Sequence, residues 1–414
     1  MAPAHRELFH VRTPSDALGV LNQHLDPRVR TERIPTRAAL DRVLAEDLHS
    51  PGDLPAFRRG TMDGFAVRAA DTFGASEGLP AYLEITGEVL MGTAPAFSLS
   101  PGQCARIATG GMLPDGADAV IMVEQTQEVG INTVEALRSV APGENVVQVG
   151  EDVQTGDAIL GRGHGLRPQD LGGLVALGIT HVEVATRLRV AILSSGDEIV
   201  DPEAQPAPGQ IRDINSYTLA ALVRRAGHEP CLAGVVRDDL PALEAAARRA
   251  LDKADVLVLS AGSSVSTRDM TAQVIDGLGR PGVLVHGVSL RPGKPTILGV
   301  CEGKPVFGLP GNPVSCMVTY DLFVAPTLAR LVGATNPPGR VVGARLARNV
   351  ASATGREDYV QVRLERAADG VLEAVPVFGK SNLIYTLIRA EGMLKVPLDV
   401  GGLVAGSQVE VVLF

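Results

Sequence analysis

The chain has no tryptophan, and aromatic residues of all kinds make up 3% of its 414 residues. A platform that stacks single-stranded bases needs such rings in series, so that function class is disfavoured at once. Long runs of lysine or arginine are also missing: 38 basic residues stand against 47 acidic ones, a net charge of −9. Without a basic stripe to displace counterions, a dedicated nucleic-acid binder is disfavoured as well, and an anionic ligand has to be held by a local cluster of cations. Of the four cysteines, Cys104, Cys231, Cys301 and Cys316, no two have the two-residue spacing of a zinc knuckle or a redox motif. They read as reduced, buried thiols. The eight histidines are scattered with no H-E-x-x-H string, which leaves a His/Cys zinc site unsupported. No apolar stretch approaches the roughly 18 residues that span a bilayer, and the opening MAPAHRELFH lacks the charged-then-apolar order of a signal peptide. The expectation is a cytoplasmic protein with no membrane and no nucleic-acid partner.

What is present is an ordinary globular composition, 45% apolar and 21% charged, at a length that suggests about three domains. Residues 13–25 carry Ala17, Leu18, Leu21 and Leu25 at helical spacing behind a Thr-Pro-Ser start, and residues 35–47 repeat the pattern. From 51 to 150, Gly and Pro punctuate short alternating runs such as YLEITGEVL, the mark of a β-rich insert. Helical text returns at 165–179, so the insert splits one helical region into 1–50 and 151–185. From 186 to 335 buried-strand runs alternate with helices, which implies a parallel sheet that binds ligands at the carboxyl ends of its strands. A small β domain closes the chain over 336–414.

Six strings stand out: TMDGFAVR, RIATGGMLPDGADAVIMVE, SSGDEIV, SAGSSVSTRDMT, LRPGKPT and GLPGNPVS. SAGSS, between a strand and a helix, offers backbone N–H groups and hydroxyls that could cradle a phosphate; an ordinary strand-to-helix turn is the other reading. LRPGKP sets Arg291 and Lys294 about a Pro-Gly turn, which suits an oxyanion or a solvated turn. One of Asp238 and Asp239 caps the helix that follows, and Asp269 could cap the next. Yet Asp238, Asp269 and Glu198 all follow strands of one sheet, and several acids around a phosphate nest is a common way to hold Mg2+.

In this order, with the split helical and β-rich arrangement around them, the strings resemble the molybdopterin molybdenumtransferase family over nearly the whole chain. The resemblance implies a multidomain α/β plus β fold: a three-layer α/β domain resembling molybdopterin adenylyltransferase, a helical linker region, a β-rich inserted domain and a C-terminal β-barrel-like domain, assembled as a homodimer. It implies a Mg2+-dependent transferase that inserts molybdenum from molybdate into adenylylated molybdopterin and releases AMP. A hand-over from molybdopterin adenylyltransferase would supply the substrate. Adenylyl transfer itself, or a cofactor-binding scaffold, are the rival readings.

Position by position, Asp63 and Thr109 match functional residues of the β-rich domain, and Glu198, Asp238 and Asp269 match the strand-end acids, which are also the candidate Mg2+ ligands. Gly262, Ser263 and Ser264 of the phosphate loop, with Pro310 and Pro313 of GLPGNPVS, are the candidate substrate-binding residues, although Ser263, like Ala261, stands at a typical glycine or valine position of the family. Arg291, Lys294, Ser315, Arg356 and Ser381 match the molybdate site. Two departures stand in the chain: the phosphate loop reads AGSSVSTRD rather than a Gly-Gly form, and Arg291 replaces a common lysine.

Overall fold

A computed structural model describes residues 12–261, 265–335 and 341–414, with backbone alone at 265–268. The helix Pro14–Gln23 begins as its sequence requires: Thr13 Oγ1 accepts from the Asp16 N–H at 3.1 Å, and Pro14 takes the first helical position. Its apolar face, Ala17 and Leu21, is buried with Val190, Val258 and Phe307, so the helix belongs to the core of the α/β region. The second helix expected over 35–47 is a single 3-10 turn, Thr36–Ala38. Asp41 there adopts φ 59, and the backbone turns outward to pair instead, Leu44 N–H to His164 O and Ala45 N–H to Glu183 O, both at 2.9 Å. Ala39 and Leu44, which made the helical pattern, pack against Leu166, Leu174, Val182 and Val184. Tertiary pairing overrides propensity here.

The two halves of the split region run alongside each other. Thr31–Pro35 pairs antiparallel with His181–Ala185, then Leu48–His49 with Ala158–Leu160, then Arg59–Gly60 with Val146–Val147. These paired segments lead into a six-stranded sheet within 64–136, apolar on both faces: Phe65, Val67, Leu83 and Ile121 fill one side, Ala66, Ala105, Ile107 and Val120 the other. Alternation along each strand produces the two faces.

The α/β region contains strands β1 (Arg189–Ser195), β2 (Glu229–Val236), β3 (Val256–Ala261), β4 (Pro281–His286), β5 (Leu290–Arg291), β6 (Ile297–Cys301) and β7 (Lys304–Pro310). Its sheet has the order β2-β1-β3-β7-β6-β4, parallel through β7 and antiparallel beyond. Helices α1 (Asn215–Arg225) and α4 (Pro313–Leu331) cover one face, and α2 (Leu240–Asp252) and α3 (Val265–Leu278) the other. The result is the expected three layers. At 19 residues α4 has the length and composition of a membrane span, contrary to the sequence reading. Its Tyr320, Phe323, Val324 and Leu328 are instead core residues, and a π turn at Tyr320–Val324 interrupts it.

Five strands, β8 (Val341–Leu346), β9 (Glu357–Arg366), β10 (Leu372–Pro376), β11 (Gly392–Val396) and β12 (Gln408–Leu413), close into a barrel in the circular order β9-β10-β8-β12-β11. Leu346, Val362, Ala374, Leu394 and Val411 fill it. The short strand β5 leaves the α/β sheet and adds in parallel to β9, with Leu290 opposite Glu357 and Arg291 opposite Asp358.

Two expectations follow from local physics. Asp239 is the helix cap of the Asp238–Asp239 pair, its Oδ2 accepting from Ala242 N–H at 2.9 Å. Asp239→Ala should cost about 1 kcal/mol in denaturant unfolding and Asp239→Asn almost nothing. His228 is 7% exposed, with Nδ1 accepting from Leu188 N–H at 3.4 Å. Burial, with Arg187 and Arg42 nearby, pushes its pKa down from 6.5 to about 4. The unfolded chain therefore takes up this proton first, so stability falls as the pH drops from about 6.5 to 4. Measured against His228→Gln, wild type should lose on the order of 3 kcal/mol more across that window.

Candidate active site at the strand ends and the barrel seam

Open parallel sheets bind ligands beyond the carboxyl ends of their strands. Here β2, β1, β3 and β7 end side by side. β1 ends in buried Ser194 and Ser195, followed by exposed Asp197 and Glu198. After β2 comes Asp238, half-buried, whose N–H donates to Asp197 Oδ1 at 3.4 Å. Burial, then the charges of Asp197 and Glu198, push the Asp238 carboxyl above its ordinary range, while a Ser195 hydrogen bond opposes the shift. Its Oδ1 is buried without a partner among the described residues.

Glu198 and Asp238 are thus brought into one electrostatic neighbourhood. Asp269 is exposed and lies inside α3, four residues beyond Val265, so it is not the cap of that helix. Nor does it complete a set with the other two: no group of three His, Cys, Asp or Glu suited to a metal occurs among the described residues. Gly262, Ser263 and Ser264 lie outside the described residues.

Sequence reasoning missed a buried polar network behind these strand ends. Asp213 accepts from the Ser216 N–H at 3.1 Å and from the Ser216 hydroxyl, and Ser216 Oγ lies 3.1 Å from Ser194 Oγ. Asn215 Nδ2 donates to Ser260 Oγ and to Gly311 O, both at 2.8 Å, tying the ends of β3 and β7 to the start of α1. The signal was Asp-Ile-Asn-Ser at a helix start, which looks like routine capping. Cys316 is enclosed beside this network and hydrogen-bonds Ser260; burial pushes its thiol up to about 12. All four cysteines are free, three of them buried and Cys231 partly so.

The second half of the site is a seam between sheet and barrel. Gly293 in LRPGKP has φ +119, and a Cβ there would meet Thr319 Cγ2 at 2.4 Å and Leu290 Cδ1 at 2.6 Å, so only glycine lets the turn sit on α4. Arg291 and Lys294 stay exposed on it. Asp358, across from Arg291 on β9, lies 3.8 Å from Arg291 and accepts from Arg356 Nε at 2.8 Å. Ser381 closes the far side: its carbonyl accepts from Val314 N–H and its hydroxyl from Asn312 Nδ2, both at 3.1 Å. Pro310 ends β7 beside Ala261 of β3, Pro313 opens α4, and Ser315 is buried in the first turn of α4. Arg291 and Arg356 are therefore brought together at Asp358, and Ser381 is brought to the 310–315 loop.

Asp63 and Thr109 form a separate unit in the β-rich sheet. Asp63 Oδ1 accepts from Thr109 N–H at 2.7 Å and from Thr109 Oγ1 at 2.9 Å, bonds that hold the exposed carboxyl below its usual range. The next residue must be glycine, since a Cβ at Gly64 (φ +157) would lie 2.0 Å from Ile121 O. No hydrogen bond among the described residues links this pair to the strand ends of the same chain.

The chain matches three family descriptions in order: MoeA N-terminal region (domain I and II) over residues 12–178, probable molybdopterin binding domain over 191–330, and MoeA C-terminal region (domain IV) over 343–414. Molybdopterin molybdenumtransferase 2 of Mycobacterium tuberculosis is 33% identical over 382 residues, covering 91% of this chain and 94% of the relative. Molybdopterin molybdenumtransferase of Bacillus subtilis is 32% identical over 394 residues, covering 94% and 91%. The crystal structure of the molybdopterin biosynthesis moeA protein of Pyrococcus horikoshii OT3 superposes with a TM-score of 0.86 at 33% identity, covering 98% of this chain and 100% of that one. With sequence, domain order and fold shared over almost its full length, the chain belongs to the molybdopterin molybdenumtransferase family.

Proposed function

We propose that the protein transfers molybdenum from molybdate to adenylylated molybdopterin, giving the molybdenum cofactor, AMP and water. The observation that carries this reading is the seam, where Arg291 faces Arg356 across Asp358, in a chain whose neighbouring parallel strands lead into Asp197, Glu198 and Asp238. Molybdate is a tetrahedral dianion, and in a protein of net charge −9 it needs such a local reversal of field. Guanidinium groups and the Lys294 ammonium supply it. In the product, the soft dithiolene sulfurs of the pterin hold the metal.

Mg2+ fits the strand ends: Asp238 carries a buried oxygen with no partner, beside the charges of Asp197 and Glu198. An all-oxygen donor set that leaves room for substrate phosphates is what this ion takes. Asp238 and Glu198 would hold it, with Asp269, inside α3, the third candidate, and bound there it would neutralise pyrophosphate charge. The protein's own groups do the rest. The serine loop at 262–264 would seat the phosphates, above the strand ends that the buried Ser194–Ser216 and Asn215–Ser260 hydrogen bonds hold together. Pro310 and Pro313 shape the pterin side. Asp63 and Thr109, ordered by their mutual hydrogen bonds, would reach the pocket from a second copy in a homodimer and position the pterin or a water.

Purified protein given adenylylated molybdopterin, Mg2+ and molybdate should release AMP and reconstitute a molybdenum enzyme without ATP, because the substrate already carries the nucleotide. A strict ATP requirement would hand the reading to adenylyl transfer. Lys294→Ala should weaken the apparent affinity for molybdate by roughly 10- to 100-fold, the worth of one charge-assisted hydrogen bond. Binding of the adenylylated pterin should change far less. A titration of product formation with molybdate, beside direct pterin binding, separates the two.

A further inference from the structure

We infer that Asp358 is a positioning residue, one that aims the two arginines of the seam and sets its charge to suit a dianion. The inference rests on the oxyanion reading of that seam and adds to it the residue behind the cations. Along β9 successive side chains alternate between faces, so Glu357 and Tyr359 share one face and Asp358 lies on the other, where Arg356, the residue just before the strand, reaches it. On the first of these faces, Glu357 accepts from the Tyr359 hydroxyl at 2.6 Å and pairs with Lys395 at 2.6 Å. The two acids of Arg-Glu-Asp-Tyr are thereby sorted: one is neutralised within the barrel, and the other is left to the seam.

Asp358 then does something no exposed acid could. Its side chain is 6% exposed, whereas Arg356 is 35% and Arg291 64% exposed. It faces Arg356 Nε at 2.8 Å and Nη2 at 3.4 Å, and Arg291 Nη1 at 3.8 Å. One buried carboxylate therefore touches one edge of each guanidinium, and the donors it does not use remain for a ligand. Without it, the guanidinium groups of Arg291 on β5 and of Arg356 just before β9 would repel and swing apart into solvent. Its charge matters as much as its place. Arg291 and Arg356 with one carboxylate leave one positive charge, and Lys294, exposed on the same turn as Arg291, supplies the second that a tetrahedral dianion would take up.

The test is steady-state turnover against molybdate concentration, with thermal unfolding of each variant as a check on folding. Asp358→Asn keeps the shape but loses the charge; KM for molybdate should rise about tenfold, more than kcat falls. Asp358→Glu keeps the charge but moves it outward by one methylene, and KM should rise about threefold. In an Arg356→Ala background, Asp358→Asn should add little, because its effect runs through that arginine. A purely structural role would lower the unfolding temperature and leave KM alone. An unchanged molybdate KM in either variant that folds overturns the inference, and should the Asn variant not fold, the Glu variant decides. Lys294→Ala separates the two levels: if it too leaves molybdate dependence unchanged, the oxyanion reading itself has failed; if it weakens molybdate while the Asp358 variants do not, only the inference has.

Discussion

The two-residue parallel pairing of Leu290–Arg291 with Glu357–Asp358 is the contact on which the rest of the site's geometry depends. An α/β layer can offer a phosphate pocket, and a barrel can offer cations, but neither fixes the other. Main-chain hydrogen bonds across this seam do so in register, at a point where Gly293 lets the turn sit against α4. The 381 loop adds a second link through Asn312 and Val314. Cations born on two folding units thus end within reach of one ligand.

How far the sequence reveals this depends on whether the deciding interactions are local. Strand-to-helix alternation after residue 186 is local, and so is the cap at Asp239; both read correctly from the chain. The helix expected over 35–47 fails because its apolar residues answer to Leu174 and Val182, well over a hundred residues away. Capping is one open reading of Asp269 in the sequence because the start of α3, at Val265, leaves no apolar-periodic mark before Met270. Asp213, Asn215 and Ser216 were invisible as site residues for a related reason: the groups they satisfy, Ser194, Ser260 and Gly311, come from three other strand ends. Asp358 sits beside a residue that was singled out, yet only the register across the seam gives it a role.

The β-rich unit is held differently. It hangs from the body by paired segments, Thr31–Pro35 with His181–Ala185 and the shorter pairs beyond, rather than by a shared core. Its own two apolar faces are filled from within. Such a unit keeps the Asp63–Thr109 geometry whatever its orientation, because both residues flank paired strands of the same sheet and bond each other directly.

Cys316 carries a consequence for any soft metal that comes to the strand ends in front of it. A thiolate there would be a rival ligand, able to trap the metal on the protein. Enclosure beside Ser260, with the proton held to about pH 12, withdraws that ligand from competition while keeping sulfur's bulk in the core. Cys316 thus fills space behind the strand ends as a thiol that is costly to ionise.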